Sequence, residues 1–175
     1  MTTTLKDTKA LKKHLLEEIA QLRDADEARM KKQFEIVFRL AKQAPHALVE
    51  LFFEEEEEEE RPIITFLLGS FLSKPGTMEA LEAGLQDRNA QVRYQTIVAL
   101  SQSPKPHALV PYFNLALKDR TKAVKQAAVL WLMKHGDGTS LQPLEHLLEH
   151  KGLQKHAPDV IQNAEKTIAR IREEA

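Results

Sequence analysis

Residues 81–100 read LEAGLQDRNAQVRYQTIVAL, and residues 113–132 read FNLALKDRTKAVKQAAVLWL. Shifted by 32 positions, the two stretches superimpose without a gap. Leu85 falls on Leu117, Asp87 on Asp119, Arg88 on Arg120, Val92 on Val124, Arg93 on Lys125 and Leu100 on Leu132. Apolar spacing alone would say only that both stretches are helical. A polar Asp–Arg step between two apolar runs recurs in register when the turn itself recurs. One structural unit is therefore used at least twice.

The same grammar extends in both directions. A further shift of 32 takes Leu109 to Leu141 and Pro111 to Pro143, and a shift of 29 lays Ile63–Phe71 over Val92–Leu100. The pentapeptide Pro-His-Ala-Leu-Val occurs at 45–49 and at 106–110, two units apart. Each copy reads as the first turn of a helix, since proline is tolerated where its missing N–H is not needed. Its histidines, His46 and His107, read as turn residues, because nothing pairs with them at ligand or triad spacing. Pro62 opens another helix in the same way. Toward the N-terminus, Leu11, Leu15, Ile19 and Leu22 form one amphipathic stripe, and Met30, Phe34, Val37, Phe38 and Ala41 form the next, with Asp24 or Asp26 as the cap between them. A period near 30 with two helices, A and B, per unit predicts a helical solenoid. The units fall at about 5–43, 45–74, 76–104, 106–136 and 138–174.

Composition bounds the rest. Of 175 residues, 42% are hydrophobic and 29% charged, a folded composition. Cysteine is absent, which removes disulfides, thiol chemistry and Cys-ligated zinc. The start lacks the apolar core of a secretory signal, and no 18-residue apolar run exists, so a cytoplasmic protein without a membrane segment is expected. Net charge is −1 but unevenly spread. Glu54, Glu55, Glu56, Glu57, Glu58, Glu59 and Glu60 are consecutive, and outside that run basic residues outnumber acidic ones. Seven adjacent like charges favour a solvated loop. They read either as a solubilising bulge or as a docking spot for a basic partner.

The Asp87-x₄-Val92-Arg93 and Asp119-x₄-Val124-Lys125 patterns, each with a Leu two residues before the Asp, resemble HEAT repeats, in particular the short bacterial HEAT-like units also found in bilin lyases. The resemblance is strong over 76–136, fair over 45–74 and 138–174, and weak over 5–43. It implies an all-α, right-handed α-solenoid (superhelix) of about five HEAT-like helix pairs, one domain over 1–175, with the helix B row lining a concave groove. In the family the Asp caps helix B and meets the basic residue after the Val, often of the neighbouring repeat. Carried over, this makes Asp87, Arg93, Asp119 and Lys125 structural joints. In the unit at 45–74 the glutamates and Arg61–Pro62 replace the pattern, so the ladder is expected to lapse there.

Few constellations carry chemistry. His146-Leu147-Leu148-Glu149-His150 fits H-x-x-E-H, in which histidines at i and i+4 on one helix face chelate zinc and the Glu activates water. A third ligand on another element and a substrate cleft are also needed, and the remaining chain offers only Glu165, Glu173 and Glu174. His146, Glu149 and His150 are therefore disfavoured as a metal site, and no catalytic residues and no cofactor are expected. Lys118, Arg120, Lys122 and Lys125 form a basic stripe, with Arg88 and Arg93 one unit earlier. Such a stripe could track phosphates, but base stacking would have to rest on Trp131 and Tyr94, and aromatic residues total only 6%. Trp131 aligns with Ala99, so it either faces outward or fills a wider groove. The expected function is a non-catalytic protein–protein interaction module or adaptor. It would use Arg93, Tyr94, Arg120, Lys125 and Trp131 together with the glutamate run to hold a protein partner. Nucleic-acid binding through the basic stripe is the alternative; bilin-lyase-like ligand handling rests on the repeat type alone.

Overall fold

The computed structural model describes residues 5–54 and 58–174, with side chains from residue 8 onward. Among these residues there are helices and turns and no strand. The helices are α1 (Leu5–Arg23), α2 (Glu27–Gln43), α3 (Pro45–Phe53), α4 (Arg61–Leu68), α5 (Thr77–Gly84), α6 (Ala90–Ser101), α7 (Val110–Ala116), α8 (Lys122–His135), α9 (Leu141–Leu148), α10 (Lys151–His156) and α11 (Pro158–Glu174). Helices α3 and α4, α5 and α6, and α7 and α8 pack as hairpins, and α9 packs on α11 with α10 inserted between them. The second helices α4, α6, α8 and α11 pack on one another in succession, while α1 lies against α2, α3 and α4.

Local sequence explains the ends. Asp26 accepts a hydrogen bond from the Arg29 amide at 2.9 Å and starts α2. Pro45 starts α3 as its first residue, and Pro62 sits in the first turn of α4. The second Pro-His-Ala-Leu-Val copy behaves differently: Pro106–Leu109 is a 3₁₀ turn and α7 begins only at Val110. Pro111 is the reason. An α-helix through the motif would need a hydrogen bond from residue 111 to the His107 carbonyl, and proline has no N–H to give. The Val110 amide closes on His107 instead, one residue early.

A single cluster of buried apolar side chains runs from Leu15 to Ile171. Phe34 and Phe38 stack with centroids 6.0 Å apart, Phe34 meets Phe66 at 6.1 Å, and Phe38 meets Phe71 at 6.0 Å, so α2 is joined to α4 and the turn after it. Met30, expected in this stripe, is instead half exposed: residues 27–32 all face solvent, and the buried face of α2 begins after them. Buried threonines at the B-helix contacts raise no polar penalty. Thr65, Thr96 and Thr167 each donate to the carbonyl four residues earlier in their own helix.

The α4–α6 contact is set by a glycine. A Cβ placed on Gly69 would lie 2.8 Å from the Ala99 Cα, a backbone atom that cannot swing away. Gly69→Ala should therefore force the two helices apart and cost about 1–3 kcal/mol, the usual range for overpacking. Urea unfolding of the variant against wild type measures this, and an unchanged midpoint would show that the contact relaxes freely.

Candidate interaction surface

The joints between hairpins are built from one repeated polar device. Arg93 on α6 reaches forward to the next turn, where its Nε donates to Asp119 Oδ2 at 2.6 Å and its Nη2 to Asp119 Oδ1 at 3.2 Å. Nη2 also donates to Thr121 Oγ1, and Nη1 donates to the carbonyls of Asp87 and Arg88 behind it. All five guanidinium donors are thereby engaged. The pair is buried, with side chains 5% and 9% exposed. Asp119 in turn accepts from the Thr121 amide at 2.7 Å, just as Asp87 accepts from Asn89. Each carboxylate sits two residues ahead of the residue that caps the following helix. For α6 that cap is Asn89, which accepts from Gln91. The aspartates thus organise the turn from before the cap position, rather than capping helix B directly.

The ladder does not lapse at the glutamate-rich unit. Arg61 Nη1 donates to Asp87 Oδ2 at 3.3 Å and Nη2 to the Glu54 carbonyl at 3.0 Å, with side chains of the pair 12% and 10% exposed. Arg61 aligns with Ala90, not Arg93, so it reaches the same carboxylate from about one helical turn earlier. Sequence alignment misses this because the guanidinium, not the Cα, occupies the equivalent place.

The remaining candidates separate by position. Arg93 is 4% exposed and spent within the joint. Trp131 is 9% exposed and stacks on Phe113 with centroids 3.7 Å apart and planes at 6°, with His135 at 4.7 Å. It neither faces outward nor lines a groove; it fills the α7–α8 hairpin, where Ala99 leaves no such partner one unit earlier. Tyr94 is half-buried against the core. Arg120 is exposed and donates to the Arg88 carbonyl at 2.9 Å, bridging two successive turns. Lys118 is exposed beside it. Lys125 is 6% exposed and makes no hydrogen bond or ion pair among the described residues.

The glutamates face cations of the same chain. Glu54 meets Lys12 at 2.5 Å, Glu58 pairs with Arg88, and Glu59 and Glu60 take the Arg23 guanidinium at 2.5 and 2.6 Å. Glu60 is itself buried. Glu55, Glu56 and Glu57 lie outside the described residues. Arg23 and Lys12, which the sequence did not single out, thus hold α1 to this turn. Hydrogen bonding to Asp24 is the largest cause that raises the Arg23 pKa, with Glu60 and Glu59 adding to it.

The H-x-x-E-H stretch is not one helix face. Helix α9 ends at Leu148, and His150 begins α10, accepting from the Leu153 amide through Nδ1 at 3.2 Å. His146 and His150 therefore do not stand one turn apart on a common helix. Among the described residues no group of three or more His, Asp or Glu side chains could hold a metal ion. No described helix is long and apolar enough to cross a membrane.

Burial pushes the Asp119 carboxyl up, but the bonds from Arg93 and Thr121 outweigh it and hold the group below its usual value. The Asp119 bond likewise raises the Arg93 pKa against desolvation. A depressed carboxylate contributes stability that is complete above its unfolded pKa of about 3.9 and is lost as pH falls through the lower folded value. The stability gap between wild type and Asp119→Asn should therefore be full above about pH 4 and close below it. At neutral pH, Asp119→Leu or Arg93→Met alone should cost about 3–5 kcal/mol by stranding a buried charge, and the double variant should cost less than either. A double-mutant cycle by urea unfolding checks the sign, and additive losses would contradict it.

The family model for HEAT repeats matches residues 78–169, more than half of the chain. No curated protein matches it. The matched segment runs from α5 into α11 and contains the Arg93–Asp119 joint, the turns on either side of it and the hairpins that the joint connects. The chain belongs to the HEAT repeat family.

Proposed function

We propose that the chain is a single right-handed array of five HEAT units that works in the cytoplasm as a non-catalytic protein-binding adaptor. HEAT repeats commonly mediate protein–protein interaction. The observation that carries the reading is the edge formed by the turns of the last three hairpins. Shallow depressions there share Lys118, exposed cations from Arg88 and Arg120 stand along it, and Leu85, Leu115 and Leu117 supply apolar walls between them. Leu115 is half exposed. A surface that alternates exposed cations with apolar side chains fits an acidic, amphipathic protein segment. Because the helices already hold these side chains in place, little ordering is needed on binding.

Exchange of Lys118 and Arg120 for glutamate should abolish capture of partners by the purified protein, with the fold unchanged by circular dichroism. Chemical cross-linking with mass spectrometry should place the partner on α5, α7 and their following turns. Capture that survives the charge reversal would remove this surface. A gel shift of DNA or RNA at low salt, steeply weakened by added salt, would replace the protein-binding reading with the nucleic-acid one.

A further inference from the structure

The joint ladder has three basic members and two acidic ones. Arg61 meets Asp87, and Arg93 meets Asp119. Lys125 stands on α8 where Arg93 stands on α6, one unit on. Its carboxylate is missing. The residue that takes the aspartate's place in the last unit is His150. The backbone shows the equivalence: the Asp87 amide bonds to Gly84, the Asp119 amide to Ala116 and the His150 amide to Leu147, each three residues back into the end of the preceding helix. Each side chain then accepts an amide from the turn that follows, Asn89, Thr121 and Leu153 respectively. Where the first two rungs present a carboxylate to the preceding B helix, the third presents an imidazole.

We propose that this third rung is a binding site completed in trans by the glutamate or aspartate side chain of a protein segment. Lys125 is 94% buried by its 6% exposure, yet its ammonium has no partner among the described residues. Leaving a buried cation without a counter-charge is costly. A groove of about 650 Å³ opens at this place, with Lys125, Arg120 and His150 on its polar side and Leu117, Pro143 and Leu147 on its apolar side. Two carboxylates of the chain border it, and neither serves Lys125. Asp119 is held by Arg93 and Thr121, and Glu149 stands on the exposed rim 3.4 Å from His146. Asp159, the acid that α11 offers to α8, meets Lys122 and Gln126 instead. The C-terminal Glu174 is paired with Arg170.

The occupant is an acidic side chain with apolar neighbours because both halves of the groove ask for one. A single ammonium at the floor suits one carboxylate on a flexible stem, as the aspartates of the first two rungs supply. Leu117, Pro143 and Leu147 suit an aliphatic or aromatic residue beside it. A nucleic-acid backbone would need a run of exposed cations, not one at the bottom of an apolar-walled groove. The inference rests on the protein-binding reading and names the chemistry of one site within it.

The test uses the full chain and a fluorescent decapeptide with one central glutamate between leucines, compared with the same peptide carrying glutamine. Wild type should bind the glutamate form, and Lys125→Met should weaken it about ten- to hundredfold, the range one charge-assisted hydrogen bond supports. His150→Asp should both abolish binding and raise the melting temperature, because it closes the rung from within while still accepting the Leu153 amide. That variant decides the matter even if Lys125→Met folds poorly. Equal binding of the two peptides by wild type, or full binding by His150→Asp, overturns the proposal. So does preference for a phosphopeptide or an oligonucleotide. Partner capture that depends on Lys118 and Arg120 but persists in His150→Asp would leave the adaptor reading standing while this site falls.

Discussion

Buried between two hairpins, the Arg93–Asp119 fork fixes how one unit can sit on the next. Apolar contacts between α6 and α8 favour closeness but carry little direction. The guanidinium does carry direction, because its five donors point in one plane and each must find an acceptor. It finds them on both sides of the joint: carbonyls of Asp87 and Arg88 behind, Asp119 and Thr121 ahead. A slide or rotation of α7–α8 against α5–α6 would strand buried donors. Arg61 repeats the arrangement one joint earlier with a carbonyl behind and Asp87 ahead. The fork costs desolvation energy and returns a defined stacking geometry.

That geometry gives the glutamate run its place. Consecutive glutamates repel one another, but the described ones are splayed toward Lys12, Arg23 and Arg88, which come from α1 and from the turn after α5. Several of these pairs are exposed and individually add little to stability. Their larger effect is on the charge map. The acidic surplus of the run is matched locally against the first helices, so the basic surplus of the rest is left along the turns of the later hairpins. An array with a net charge of −1 thereby keeps a cationic edge.

Much of this architecture was legible in the sequence, and the misses share a cause. The 32-residue register of Asp87 and Asp119 identified the repeating turn, because a turn's polar residues recur only when its backbone does. Helical stripes located Leu15, Val37, Leu48 and Leu144 in the core, where all are fully buried. Arg61 escaped because alignment compares Cα positions and a long side chain can reach one site from two of them. Trp131 was placed outward or in a groove because its aligned partner is alanine, yet one added ring is accommodated by stacking on Phe113, a partner absent from the alignment. The second Pro-His-Ala-Leu-Val copy departs from the first through a residue just beyond the motif, Pro111. In each case the deciding atom lies outside the window that the pattern covers.

The last joint shows how little it takes to turn such a ladder from cement into a surface. Two changes distinguish it from its predecessors: a histidine where the turn had an aspartate, and the six-residue helix α10 ahead of α11. The first removes the counter-charge of Lys125. The second separates the start of α11 from the turn, so that Asp159 meets Lys122 rather than filling the gap. The B-helix row is otherwise continuous, since α8 packs on α11 and Arg170 donates to the carbonyls of Leu132 and Gly136 at the end of α8. The hairpin therefore remains docked while one polar position at its edge stays open. A ligand that fills that position only in the folded chain must stabilise the stack by linkage. Recognition and the rigidity of the final unit would then draw on the same ammonium.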